Sequence, residues 1–235
     1  MFFLKYISTF FAGALRILKI DCITLFPEMF APMNCSIMGR AQKNGFLNFR
    51  TVHLRDFAIN DYGQVDDAPY GVEAGMVLRP EPLAKAIDFC EPKKNNATVI
   101  LLAADGVPLT HSLAKELSQK EHLVLVCGHY KGVDERIRQS RVDLSVSIGN
   151  YVVSGGELPA MILSDAVVRL IPGVIGDMES AETDSFAQSE LLGCPVWTRP
   201  QEFEGMKVPD ILLSGHHENI RKWQKEQVIP RLPNC

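Results

Sequence analysis

Apolar positions along the chain fall into short runs separated by polar, glycine-containing stretches. Residues 19–26, 46–54, 97–102 and 122–126 are runs of aliphatic, aromatic and β-branched residues too short for helices. Residues 143–148 (DLSVSI) alternate polar and apolar positions. Each of the five predicts a strand. Helical patterns lie between them, at 27–43 with Pro27 near the start, at 80–89, and at 110–120 with Leu113 and Leu117 at i, i+4. A further helix opens at Glu157 and Pro159, residue types favoured in a first turn, and continues through Leu158, Met161, Ile162, Ala166 and Leu170. Strands alternating with helices predict an α/β fold with a parallel sheet.

Three of these strands run into glycine-containing loops: 103–106 (AADG), 127–136 (CGHYKGVDER) and 149–156 (GNYVVSGG). Glycine lets a chain turn sharply or lets another group approach its backbone. In an open parallel sheet, ligands bind at the carboxyl ends of the strands. No G-x-G-x-x-G is present, which disfavours a Rossmann dinucleotide site and calls for a pocket of another kind.

The order of motifs across residues 19–227 resembles the bacterial tRNA (guanine-N1)-methyltransferase family. The motifs are LFPEMF (25–30), VDDAPYG (65–71), CGHY (127–130), GVDER (132–136), SIG…GGELPAM (147–161), RLIPGVIG (169–176), Ser180, DSF (184–186), TRP (198–200) and LLSGHH (212–217). The resemblance implies a parallel α/β sheet with a C-terminal trefoil knot, followed by a small helical domain. It also implies a homodimer whose subunits build each active site together. The implied reaction is methyl transfer from S-adenosylmethionine to N1 of the guanosine just 3′ of the anticodon of tRNA.

The implied site residues follow motif by motif. Asp184 takes the position of the base that removes the N1 proton, and Arg169 that of the arginine stabilising charge on the guanine O6. Outside the resemblance, an acid in a polar stretch and an arginine at a helix end have ordinary structural explanations. The cofactor contacts fall on Leu102, Gly128, Tyr130, Ile148, Gly149, Asn150, Tyr151, Val152, Val153, Gly155, Gly156 and Pro159. Contacts to the substrate fall on Asp66, Tyr70, Gly75 and Ser180.

The chain departs from the family pattern where Lys131 replaces the usual glutamate linked to magnesium dependence. Two cations ~4 Å apart repel by roughly 1–4 kcal/mol, so magnesium, implied by the family, is in question here. Asn150 replaces an aspartate, Val72 and Glu73 interrupt a glycine run, and His129 stands where arginine is more common. A second expectation is therefore a weakened relative that binds tRNA or cofactor without efficient turnover. A third is a knotted methyltransferase of altered specificity.

The expected organisation is an N-terminal extension at 1–18, a methyltransferase domain at 19–172, a linker at 173–185 and a short helical tRNA-binding domain at 186–235. Relative to the family, the last appears shortened. The extension is basic, free of acids and too short in its apolar runs to span a membrane; it reads as a targeting peptide or as an early start. The location expected is the cytoplasm, or an organelle if the extension is a transit peptide. Six cysteines without a C-x-x-C spacing argue for reduced thiols and against a metal site. A net charge of −4 gives no overall attraction to RNA, leaving local patches such as Arg136, Arg138, Arg141 and the segment 221–225.

Overall fold

The computed structural model describes residues 16–71, 74–176, 185–186, 191–227 and 229–230. The expectations for residues 1–15, Val72, Glu73, Ser180 and Asp184 lie outside the described residues. The described residues fall into two compact units, divided between Gly176 and Asp177.

The first unit is built on a five-stranded sheet in which every pairing is parallel. Its strands are β1 (Leu18–Thr24), β2 (Leu47–His53), β5 (Thr98–Pro108), β6 (His122–Cys127) and β7 (Leu144–Ser147), in the order β2-β1-β6-β5-β7. A two-stranded ribbon, β3 (Asp66–Asp67) with β4 (Val77–Leu78), stands apart from it. Parallel sheets need cover on both faces, and their inner strands are accordingly apolar throughout. β6 lies at the centre and is buried at all six residues.

One face carries α1 (Ser36–Lys43), α3 (His111–Leu117) and α5 (Glu157–Val168), whose Met38, Ala41, Ala114, Leu117, Leu163 and Val167 join one core. The other carries α2 (Pro80–Phe89) and α4 (Glu135–Arg141), through Leu83, Ala86, Ile87 and Ile137. Thr110 caps α3 by accepting the Leu113 N–H, and Asp134 caps α4 by accepting from Arg136.

Two elements differ from the pattern reading. The helix expected over 27–43 is a 3-10 helix, Pro27–Asn34, broken from α1 at an extended Cys35. Pro32 has no N–H to give and disfavours helical backbone before it, so the apolar period survives while the helix does not. β5 runs on past Leu102, where a loop was expected. Leu102 and Val107 both align with Val146, so the residues between them bulge out of the ladder. Gly106 serves that crossing and not a ligand: a Cβ there would stand 2.5 Å from the Val146 nitrogen.

A polar cluster is buried within the sheet. Asp21 is fully inaccessible, yet Arg50 grips it through Nε at 2.5 Å and Nη2 at 3.1 Å, with Lys19 Nζ at 3.2 Å and His122 Nε2 at 2.9 Å. Burial by itself raises the Asp21 carboxyl; the hydrogen bonds from His122, Arg50 and Lys19 and the Arg50 charge outweigh it, holding the group well below the usual carboxylate range. Burial pushes the Cys22 and Cys127 thiols up, and Cys90 up to about 12, so these free cysteines act as small apolar groups.

The second unit is described through one short hairpin, Glu202–Phe203 with Met206–Lys207, through an antiparallel pairing of Leu191–Leu192 with Ile229–Pro230, distant in sequence, and through helices Asp210–Leu213 and His217–Glu226. His216 is the N-cap residue of the last helix and His217 begins it. Arg221, Lys222 and Lys225 are exposed there while Trp223 is half-buried.

Candidate active site

The carboxyl ends of β5, β6 and β7 open onto a cavity of about 460 Å³. That volume lies in the range of small-molecule sites, and the position is where open parallel sheets place them. Its walls come from residues 101–105, from 128–133 and from 146–148 with 151–156; Pro159 closes it on the α5 side.

The loop after β6 is held by backbone bonds. Gly132 N–H donates to His129 O and Lys131 N–H to Met76 O, each at 3.0 Å. Between them Tyr130 takes a φ of 60°, unusual for a residue with a side chain. The segment 76–78 is stitched to the same loop, with Leu78 N–H donating to Gly132 O and Asp134 N–H to Leu78 O. Ser147 Oγ accepts the Gly149 N–H, and Tyr151 N–H donates to Gly149 O, curling the loop after β7.

Gly156 N–H donates to Gly128 O at 2.8 Å, and Gly155 bridges His129, so the two loops share one wall. A Cβ on Gly156 would come to 2.5 Å from Cys127 Cα and 2.8 Å from Gly128 N, so this glycine admits the protein's own backbone. Gly156→Ala is expected to destabilise the fold by about 1–3 kcal/mol through forced backbone movement. Urea denaturation tests this against Gly176→Ala, where a Cβ meets nothing within 4 Å.

The charges at the rim are largely paired. Arg138 grips Asp105 at 2.7 and 2.6 Å, which holds the Asp105 carboxyl below its ordinary range. Arg136 pairs with Asp134 and Arg141 with Asp88. The basic patch expected from these three arginines is therefore neutralised by neighbouring carboxylates. Lys131 is exposed at the cavity and its side chain lies across Gly75, whose Cβ would meet Lys131 Cγ at 2.8 Å.

Of the residues expected to hold a cofactor, Leu102, Gly128, Tyr130, Ile148, Tyr151, Val152, Val153, Gly155, Gly156 and Pro159 line the cavity. Gly149 and Asn150 do not; Gly149 turns the loop and Asn150 is exposed. Asp66 lies in the ribbon, Tyr70 is fully exposed beyond it, and Gly75 touches Lys131. Arg169 follows the last residue of α5, whereas the cavity meets that helix at Gly156 and Pro159. The ten residues from Pro159 to Arg169 put Arg169 about 15 Å along the helix from the nearest cavity residue of α5. The pattern reading missed Asp105 and Arg138 as cavity walls, and missed the buried Thr24–Glu157 pair, because their roles come from contacts distant in sequence.

The fold and cavity define an α/β protein with a cavity of small-molecule size at the carboxyl ends of a parallel sheet. Residues 18–233 match the family described as tRNA (Guanine-1)-methyltransferase TrmD. A tRNA (guanine-N(1)-)-methyltransferase of Desulforamulus reducens is 52% identical over 217 residues, covering 91% of this chain and 85% of the relative. One of Staphylococcus aureus strain MRSA252 is 52% identical over 218 residues, covering 92% and 88%. The chain belongs to the tRNA (guanine-N1)-methyltransferase family. Among the described residues, no helix is long and apolar enough to cross a membrane.

Proposed function

We propose that this chain methylates N1 of the guanosine just 3′ of the anticodon of tRNA, with S-adenosylmethionine as donor. The observation that carries the reading is the cavity at the strand ends in a chain 52% identical to enzymes named for this reaction. The cavity suits the donor: backbone and apolar groups of residues 101–104, 128 and 151–153 offer a shaped surface, and the Asp105–Arg138 pair leaves little net charge beside it. When bound, the donor supplies an electrophilic methyl group.

The chain's own residues supply the rest. Asp184 takes the N1 proton, Arg169 stabilises negative charge on O6, and Asp66, Tyr70, Gly75 and Ser180 hold the substrate. Magnesium stays a family implication that Lys131 puts in question, because it brings a positive charge to the cavity. The reaction belongs in the cytoplasm, or in an organelle if residues 1–18 are a transit peptide.

The distance along α5 between Arg169 and the cavity supports a homodimer in which Arg169 of one copy serves the cavity of the other. Mixing Arg169→Ala chains with Gly128→Leu chains, whose new side chain would fill the cavity, is then expected to restore turnover to at least several times that of either variant alone, because some mixed dimers hold one intact site. Activity no greater than the sum of the two would remove the shared site.

Radiolabelled methyl transfer to unmodified tRNA, with the product base identified, tests the reaction itself. The exposed Lys131 at the cavity favours one second reading, binding without efficient turnover. Silence of the natural sequence with activity in Lys131→Glu would select it.

A further inference from the structure

Glu157, which lines the adjoining cavity bordered by Phe26 and His129, is 1% exposed and only half satisfied. Its Oε1 accepts the Thr24 hydroxyl proton at 2.7 Å, and Thr24 Oγ1 accepts the Phe26 N–H at 2.9 Å. The backbone N–H thus occupies the hydroxyl as an acceptor, and its single proton goes to Glu157. Glu157 Oε2 is buried and makes no hydrogen bond among the described residues; His129 Nε2 lies 3.4 Å from it. A buried carboxylate oxygen without a donor is strongly unfavourable. A proton on His129 Nε2 is the donor within reach.

The rest of the surroundings of His129 agree. Phe26 and Tyr130 stand against the ring at 5.1 and 5.6 Å between centroids, and Lys131 follows Tyr130 in the same loop. Thr24 and Phe26 bring no charge from β1 and the residues after it, so the carboxylate on α5 is the charged group against Nε2. His129 lines both the main cavity and an adjoining one bordered by Phe26, Met29 and Leu158. Its backbone bridges Gly155, where any Cβ would collide with both His129 Nε2 and Glu157 Oε2. The bare Gly155 therefore leaves room for this pair.

We propose that Thr24 and Glu157 are positioning residues that hold a proton on His129 Nε2 and thereby fix the wall between the two cavities, including the loop that takes the methyl donor. In the neutral ring, Nδ1 is then the acceptor, because the bond made by one nitrogen sets the state of the other. The part that concerns the donor rests on the methyltransferase reading; the proton's location does not.

Glu157→Gln reverses the demand. The amide oxygen still takes the Thr24 proton, and the amide nitrogen then presents hydrogens to Nε2, which must accept. Nitrogen-15 NMR of the imidazole, with the signal assigned by its loss in His129→Gln, is expected to show the proton on Nε2 in the natural protein. At the alkaline end of a titration it should sit on Nδ1 in Glu157→Gln. Calorimetry with S-adenosylhomocysteine as probe is expected to show affinity lowered about 10-fold or more in Glu157→Gln and Thr24→Val, the scale of a lost charged hydrogen bond. Thr24→Ser should restore it.

An unprotonated Nε2 in the natural protein overturns the proposal, as does affinity in Thr24→Val within twofold of natural. If Glu157→Gln does not fold, the natural protein's spectrum and the Thr24 pair decide alone. Failure of the natural protein to bind the probe at all would sink the methyl-donor reading while leaving the proton's location to be judged separately.

Discussion

Asp184→Asn is expected to lower methyl transfer by about 10²–10⁴-fold, the usual worth of a positioned proton acceptor. Guanine N1 carries a proton at neutral pH, so its lone pair becomes available to the electrophilic methyl only as that proton leaves. Asparagine keeps the shape of aspartate and can hold the base edge by hydrogen bonding, but its amide does not take a proton. Binding of S-adenosylhomocysteine should stay near the natural level, because the cavity for the donor is built by loops of the first unit. Single-turnover kinetics alongside calorimetry separates the two effects. A variant that turns over within tenfold of the natural chain would take the base assignment away from Asp184.

Asp21→Asn is expected to cost about 2–4 kcal/mol of stability at neutral pH, below the full cost of breaking a buried ion pair because the cations are partly solvated. Arg50 and Lys19 are 41% and 30% exposed, whereas Asp21 and His122 are 0% and 2%. The substitution removes the one charge on which Arg50, Lys19 and His122 converge.

The pH dependence follows from the depressed Asp21 carboxyl. A carboxyl ionising at lower pH in the folded than in the unfolded chain adds stability that is fully present above the unfolded value, about 3.9. That contribution is lost as pH falls from there through the folded value. Urea denaturation should thus show the natural protein and Asp21→Asn far apart at pH 7 and converging below about pH 4. A gap unchanged across that acid range would mean that the carboxylate charge does not stabilise the fold.

Strand positions were legible because parallel strands buried on both faces need continuous apolar or β-branched runs, as in 122–126 and 97–102. The helix over 80–89 and the start of α5 at Glu157 were legible through proline and acids in first turns. The break at Cys35 was harder to see. Its cause, Pro32, is local, but the apolar spacing on either side still suits one helix. The bulge after Leu102 was not legible, since it depends on where β7 runs. Gly155 and Gly156 were visible as special and both line the cavity, but the packing they also serve was not visible. Sequence suggested room for a ligand; the structure shows room taken by His129, Glu157 and Cys127. The arginines at 136, 138 and 141 looked like an RNA-binding patch because the partners of two of them, Asp105 for Arg138 and Asp88 for Arg141, lie far along the chain; only Asp134, the partner of Arg136, is close in sequence.

By itself, the sequence determined the α/β class, the loops that carry the pocket and, through the order of its motifs, the family. Each of these rests on local spacing or on residue types at short range. Only the tertiary structure decided how Thr24 reaches Glu157 across 133 residues and how Asp21 meets His122 across 101. Burial made the difference. A carboxylate in water needs no chosen partner, whereas one enclosed by the fold must find its donors among whatever the packing brings beside it.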